Sequence, residues 1–220
     1  KFAKELSEEF NINAFGYYCD ISNIESIKSV LAEIQKEFDI IDVLLNNASY
    51  SSDSPDLLHE SFENYSLDEW KKMMDINING TFLCCQVFGS LMSRQNVNSS
   101  IVNIASIYGN LGTDHRIYSN SKNMTNNPAA YSTSKGAILS LTRYLASYWG
   151  DKGVRVNSIS PGGIIRNQAD DFIKNYSSRV PMGRMGKPEE MIGILIYLSS
   201  DSSSYATGQN FLIDGGLSAW

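Results

Sequence analysis

Hydrophobic positions along the chain alternate between a helical and a strand-like period. Phe2, Leu6 and Phe10 recur at helical spacing, so the chain opens in a helix. Ile12 to Cys19, with Ala14, Phe15, Tyr17 and Tyr18, reads as a strand. Ser22 with Glu25 three residues on reads as a capping box. The helix behind it carries Ile24, Ile27, Val30, Leu31, Ile34 and Phe38 on one face. Ile40 to Leu45 is a short apolar strand ending at Asn46-Asn47-Ala48. A polar loop runs through Pro55 to Tyr65. Ser66 with Glu69 then reads as a second capping box, opening a long helix through Trp70, Met73, Ile76, Phe82 and Val87 to about Arg94. Ile101 to Ala105 is a strand, followed directly by Ser106. Residues 109–127 are rich in Asn, Ser and Gly and read as loop. Pro128 starts a helix past Ile138, Leu141 and Leu145 to about Gly150. Val154 to Ile159 alternates as a strand, which Pro161-Gly162-Gly163 stops. A short helix follows around Ala169 to Tyr176, and another runs from Pro188 through Met191 to Leu198. Gln209 to Ile213 is the last strand, closed by Asp214-Gly215-Gly216.

Regular alternation of helix and strand predicts an α/β fold: a doubly wound parallel sheet with helices on both faces. Ligands then sit beyond the carboxyl ends of the strands. Asn46, Ser106 and Pro161 follow strand ends and should line one crevice. With 220 residues and nothing resembling a linker, the chain reads as one domain spanning 1–220.

Composition narrows the chemistry. Hydrophobic residues make up 42% and charged residues 19%, enough apolar surface for a sizeable core. A net charge of −6 argues against nucleic acid and anionic membrane surfaces, which select basic patches. Met191 to Leu198 is the longest apolar stretch, far short of the roughly 18 residues of a spanning helix. Three cysteines without framework spacing, two of them adjacent (Cys84, Cys85), suggest a reducing cytoplasm and core packing. His59 and His115 are the only histidines, both in polar loops. That pattern points away from a metal site and from a serine-hydrolase triad. Lys1 to Phe10 is charged and amphipathic rather than signal-like, and Lys1 is not a methionine, so the natural start reads as missing.

A tyrosine four residues before a lysine on a helix has a chemical use. A cation at about 4 Å and an effective dielectric near 20 is worth roughly 4 kcal/mol. That could lower a phenol by about three pKa units, enough to exchange protons with an alcohol near neutral pH. The pattern occurs at Tyr118/Lys122, Tyr131/Lys135 and Tyr148/Lys152. Only the second lies within a convincing helix. Alone, it reads equally well as a surface contact.

Its context carries more. Tyr131-Ser132-Thr133-Ser134-Lys135-Gly136 follows the strand 101–105 and Ser106, preceded by Asn46-Asn47-Ala48 and Asp75-Ile76-Asn77-Ile78-Asn79-Gly80. Residues 155–163 (RVNSISPGG) and 208–216 (GQNFLIDGG) complete the series. In this order and spacing the whole chain resembles the short-chain dehydrogenase/reductase family. The resemblance implies a Rossmann-like fold and an oxidoreductase that interconverts an alcohol and a carbonyl with NAD or NADP. It implies Tyr131 as catalytic acid/base, Lys135 lowering its pKa and bonding the nicotinamide ribose, and Ser106 polarising the substrate oxygen. Asn77 would anchor a water in the proton relay. The cofactor would lie along Asp20, Ile21, Asn46, Asn47 and Ala48 on the adenosine side. Tyr131, Lys135, Pro161, Gly162 and Ile164 would serve the nicotinamide side. A small-molecule substrate and a homodimer or homotetramer are also implied. Structural readings stand beside these: Asn77 as a helix kink, Ser106 as a strand-end serine, Asn46 and Asn47 as turn formers, and Asp20 as a helix cap shared with Ser22.

The chain departs from the family pattern in three ways. The first strand, glycine-rich turn, helix and second strand have no counterpart, so the chain reads as lacking the first βαβ unit, about 30 to 45 residues. That would leave sheet edges open and implies weak cofactor binding and low stability. The gap from Ser106 to Tyr131 is about a dozen residues longer than usual in the family, which makes Tyr118 a rival. His115, Arg116 and Lys122 in that loop could meet an anionic or polyol substrate, or simply be solvated. Arg166-Asn167-Gln168 stands where relatives carry a threonine. Together with Ser160 to Gln168 and Ser106-Ile107-Tyr108-Gly109, this resembles a subgroup of bacterial surface-sugar biosynthesis. The rival readings are a non-catalytic nucleotide-binding member and an assembly module built on the two long helices.

Overall fold

In the computed structural model, residues 1–52, 59–118 and 126–220 are described. The sheet has four parallel strands in chain order: β1 (Val43–Asn46), β2 (Ser99–Ile104), β3 (Val154–Pro161) and β4 (Asn210–Ile213). Asn46 pairs with Asn103, Asn103 with Ser158 and Ser158 with Asn210, so the carboxyl ends are level.

Helices cover both faces. The helical run α3 (residues 67–92) and helix α4 (Ala129–Trp149) pack on one, where Cys85, Met92, Leu145 and Trp149 meet Ile101, Val154 and Val156. Helix α6 (Ile192–Ser199) covers the other through Leu198, Ile194 and Leu195 on Val102 and Ile159. Strand alternation explains the split: Ile101 and Val102 point to opposite faces. This is the doubly wound Rossmann-like α/β arrangement read from the sequence. The remaining helices are α1 (Phe2–Phe10), α2 (Ile24–Ile34) and α5 (Asp170–Ser177).

Three expectations are corrected. Ile12 to Cys19 joins no ladder; a strand needs a neighbour, and among the described residues none lies beside it. Ile12, Phe15 and Tyr18 are exposed in consequence, with Phe15 resting edge-on against Phe38. Helix α2 is capped by Asn23, not Ser22: the Asn23 side chain accepts from Glu25 and Ser26 N–H, while Ser22 turns back to Asp20. Ser66 does cap α3, accepting from Asp68 N–H. Glu69 does not close the box, because its carboxylate is buried and taken by Tyr50, Ser52 and Lys72.

The run α3 widens to π-helical turns at Asp75–Gly80 and Cys85–Gly89. Such widenings cluster at functional sites, and the first holds Asn77. Gly80 lets Ile21 pack close, since a β-carbon there would stand 2.7 Å from Ile21 Cδ1.

Candidate active site

Ser106 lies two residues beyond β2. Its hydroxyl accepts from Tyr108 N–H at 3.2 Å and so starts a 3₁₀ turn, Ile107–Gly109. Pro128 begins α4, and its carbonyl accepts from Tyr131 N–H, which puts Tyr131 in the first helical turn. Lys135 follows one turn later. Its Nζ stands 5.7 Å from the Tyr131 ring centroid and donates to the Ile104 carbonyl at 2.8 Å.

Ser106 and Tyr131 line one cavity of about 430 Å³ beyond the strand ends, together with Tyr50, His59, Arg166 and Tyr176. Gly162 also lines it. Lys135 sits behind Tyr131 rather than in the lining, 4% exposed. Asn77 is likewise behind the wall: its Oδ1 accepts from Tyr50 N–H at 2.7 Å and its Nδ2 donates to Ser134 Oγ at 3.0 Å. The side chain therefore ties α3, α4 and the loop after β1 together, and it reaches Lys135 only through the neighbouring Ser134.

Burial dominates the electrostatics. It lowers the Lys135 ammonium to about 8. It raises the Tyr131 phenol, against a hydrogen bond from Ser106 and the Arg166 charge, which both favour the phenolate. The expected lowering of Tyr131 by Lys135 is not what the structure gives. Both groups are desolvated, and the ammonium is turned to the Ile104 carbonyl. Burial also lifts Cys84 to about 11 and Cys85 to about 12, so both are inert core thiols.

The other tyrosine–lysine pairs differ in setting. Lys152 lies 5.2 Å from the Tyr148 ring centroid, a closer approach than in the 131/135 pair, yet Tyr148 is 56% exposed on the outer surface of α4. Cation–ring distance does not single out Tyr131, and burial does not either, since Tyr118 is buried and lines the same cavity; Tyr131 stands out by having both Ser106 and the Lys135 ammonium beside it. Tyr118 ends a 3₁₀ turn, packs on Phe172 and faces the Tyr108 hydroxyl, and burial raises its phenol. Lys122 lies outside the described residues. His115 and Arg116 are absent from the lining of the Tyr131 cavity. Arg116 is held by Asp114 in a two-pronged bond of 2.7 and 2.9 Å, which fixes it away from any substrate there.

On the expected cofactor side, Asn46 turns inward. Its Nδ2 donates to Asn103 Oδ1 at 2.8 Å, and Asn103 donates to Thr142 Oγ1 at 3.0 Å. Asn47 and Ala48 are exposed at the strand end. Asp20 accepts from the Ser22 hydroxyl and N–H, which hold its carboxyl below the usual range. Pro161 ends β3, Gly162 N–H donates to the Ile213 carbonyl, and Ile164 bridges Gly186. Gly163 N–H donates to the Tyr176 hydroxyl. These groups fit a nicotinamide dinucleotide chemically: two N–H groups of the buried Lys135 have no partner among the described residues, and Asp20 offers an ionised acceptor for hydroxyls. No cluster of three or more metal-ligating side chains occurs among the described residues, and no helix there is long and apolar enough to cross a membrane.

His59, Tyr50, Arg166 and Tyr176 enter the cavity from four segments that no motif links. Sequence spacing carries no signal for such convergence, apart from Arg166 standing where the family pattern has another residue.

The chain is similar to known proteins along nearly its whole length. A family model described as enoyl-(acyl carrier protein) reductase matches residues 1–218. A sorbose reductase of Candida albicans is 32% identical over 219 residues, covering 97% of this chain and 72% of that protein. An NADP-dependent mannitol dehydrogenase of Alternaria alternata is 32% identical over 220 residues, covering 98% and 76%. A solved short-chain dehydrogenase from Leptospira borgpetersenii with bound NAD+ superposes with a TM-score of 0.84 at 39% identity, covering 94% of this chain and 77% of that one. The chain belongs to the short-chain dehydrogenase/reductase family of NAD(P)-dependent oxidoreductases.

Proposed function

We propose that this chain interconverts a secondary alcohol and a ketone on a polyhydroxylated small molecule, with Tyr131 as the acid/base. The carrying observation is that Ser106 and Tyr131 face one cavity while Lys135 stands directly behind the ring. In this reading Ser106 Oγ holds the substrate oxygen. Tyr131 gives its proton to that oxygen on reduction and takes it back on oxidation. Lys135, buried yet mostly charged at neutral pH, offers N–H donors and electrostatic support to the developing phenolate. A bound nicotinamide cofactor, NAD or NADP, supplies or accepts the hydride. Asp20, Ile21, Asn46, Asn47 and Ala48 would hold its adenosine side, and Tyr131, Lys135, Pro161, Gly162 and Ile164 its nicotinamide side. Asn77 acts through position, by bracing the loop after β1 against α4.

Supporting a sugar-type substrate are the hydroxyl-rich cavity walls and the polyol- and sugar-named relatives. A place in bacterial surface-sugar biosynthesis is the narrower form of this reading. We also propose one domain, a cytoplasmic setting suited to three free cysteines, and a homodimer or homotetramer. The assembly is suggested by Phe82, Tyr144 and Tyr148, which leave the long helices with exposed aromatic surface. Turnover of polyols and ketoses by wild type and Tyr131→Phe, followed by cofactor absorbance, tests the assignment.

A further inference from the structure

We infer that the substrate carries an anionic group, a carboxylate or a phosphate, and that Arg166 binds it. The inference rests on the cavity of Ser106 and Tyr131 being the substrate site, and it narrows the substrate class.

Among the described residues, the cavity lining has one guanidinium and no Asp or Glu. Four other arginines are engaged within the protein, Arg116 and Arg179 on Asp114, Arg184 on Glu190, and Arg155 on carbonyls, and none of these lines the cavity. Arg166 forms no ion pair among the described residues, and Asp170 and Asp171, four and five residues on, do not reach it. Its placement does not depend on its own charge. Arg166 N–H donates to Gln168 Oε1 at 2.6 Å, and Gln168 Nε2 donates to the Ile164 carbonyl at 2.9 Å. Ile165 N–H in turn donates to Gly186. The loop is therefore pinned by its backbone, and the guanidinium stands in the cavity without an acidic partner among the described residues.

Charge makes this specific. A chain of net charge −6 repels anions at long range, so an arginine in a cavity whose described lining holds no carboxylate offers a local site where an anion is admitted. A guanidinium binds planar or tetrahedral oxyanions through two parallel N–H donors, which a neutral polyol does not match. The tyrosine hydroxyls that share the lining serve the hydroxyl groups of the same molecule.

The test measures ligand binding to the full chain, with cofactor present, by thermal shift and calorimetry. The probes are sorbitol, gluconate and glucose 6-phosphate. The inference expects gluconate or glucose 6-phosphate to bind about ten- to a hundredfold more tightly than sorbitol, with affinity falling as salt is added. Arg166→Gln removes the preference, Arg166→Lys restores part of it, and Arg166→Glu reverses it. The gluconate and phosphate arms show which oxyanion is preferred. Equal binding of all three probes by wild type, or an unchanged preference in Arg166→Gln, overturns the inference. So does a loss in Arg166→Gln that falls on cofactor binding instead. Turnover is scored separately: an anion preference without any Tyr131-dependent turnover retains the Arg166 assignment and defeats the catalytic reading.

Discussion

Gly109 lies against the backbone of Lys135 so closely that a β-carbon on it would stand 2.7 Å from the Lys135 carbonyl. This approach sets the turn that carries Ser106 against the helix that carries Tyr131. Gly109→Ala must push the two apart, because the obstructing atoms are backbone and do not rotate away. We expect a loss of about 1–3 kcal/mol in stability and at least a tenfold fall in kcat/KM. Denaturant unfolding and steady-state kinetics check both.

Lys135 gives the chain a distinctive alkaline behaviour. Its folded pKa of about 8 lies well below the ordinary lysine value near 10.4. Above pH 8 the folded protein sheds this proton first, while the unfolded chain still holds it. Stability attributable to this group therefore rises between about pH 8 and 10.5, by on the order of 3 kcal/mol. In Lys135→Met that rise disappears. Urea midpoints for the two proteins across this window show the difference as a steeper wild-type curve.

Asn103 is fully buried and joins β1, β2 and α4 by accepting from Asn46 and donating to Thr142. Asn103→Ala leaves Asn46 Nδ2 short of its closest acceptor and Thr142 Oγ1 without its donor, at a cost of about 1–3 kcal/mol. Asn103→Ala combined with Thr142→Val removes one orphan and recovers part of that loss. Comparing the unfolding curves of wild type, Asn103→Ala, Thr142→Val and the double variant tests whether the network acts as a unit.

Asn77 presents a similar case with a functional readout. Asn77→Ala frees Tyr50 N–H and Ser134 Oγ, and loosens the wall that Tyr50 forms. We expect KM for substrate to rise more than kcat falls, since the side chain touches the wall and not the reacting groups. An effect on kcat alone, with KM unchanged, contradicts the bracing role.

Much of this was legible in the sequence, and particular residues show where legibility stops. The four paired strands stood out because short apolar runs were bracketed by Asn, Gly and Pro; each run matches its observed strand to within three residues at either end. Ile12 to Cys19 had the same composition but no ladder, because pairing depends on a neighbour that no local pattern reports. The Ser22 cap slipped by one residue to Asn23 because both residues can cap, and Asp20 took the Ser22 hydroxyl. Tyr131 and Lys135 were visible as a motif, whereas their pKa directions were not, since burial decides them. Arg166 and His59 reach the cavity from segments about a hundred residues apart in sequence, a convergence only the fold creates.

The central claim is that Tyr131, and not Tyr118, exchanges the proton with substrate. Single-turnover hydride transfer, followed by nicotinamide absorbance with saturating cofactor and a reducible ketose, compares Tyr131→Phe with Tyr118→Phe. The account predicts a fall of about 10²–10⁴-fold in rate for Tyr131→Phe with cofactor still bound, and less than about tenfold for Tyr118→Phe. A near wild-type rate in Tyr131→Phe, or the large loss appearing in Tyr118→Phe instead, contradicts it.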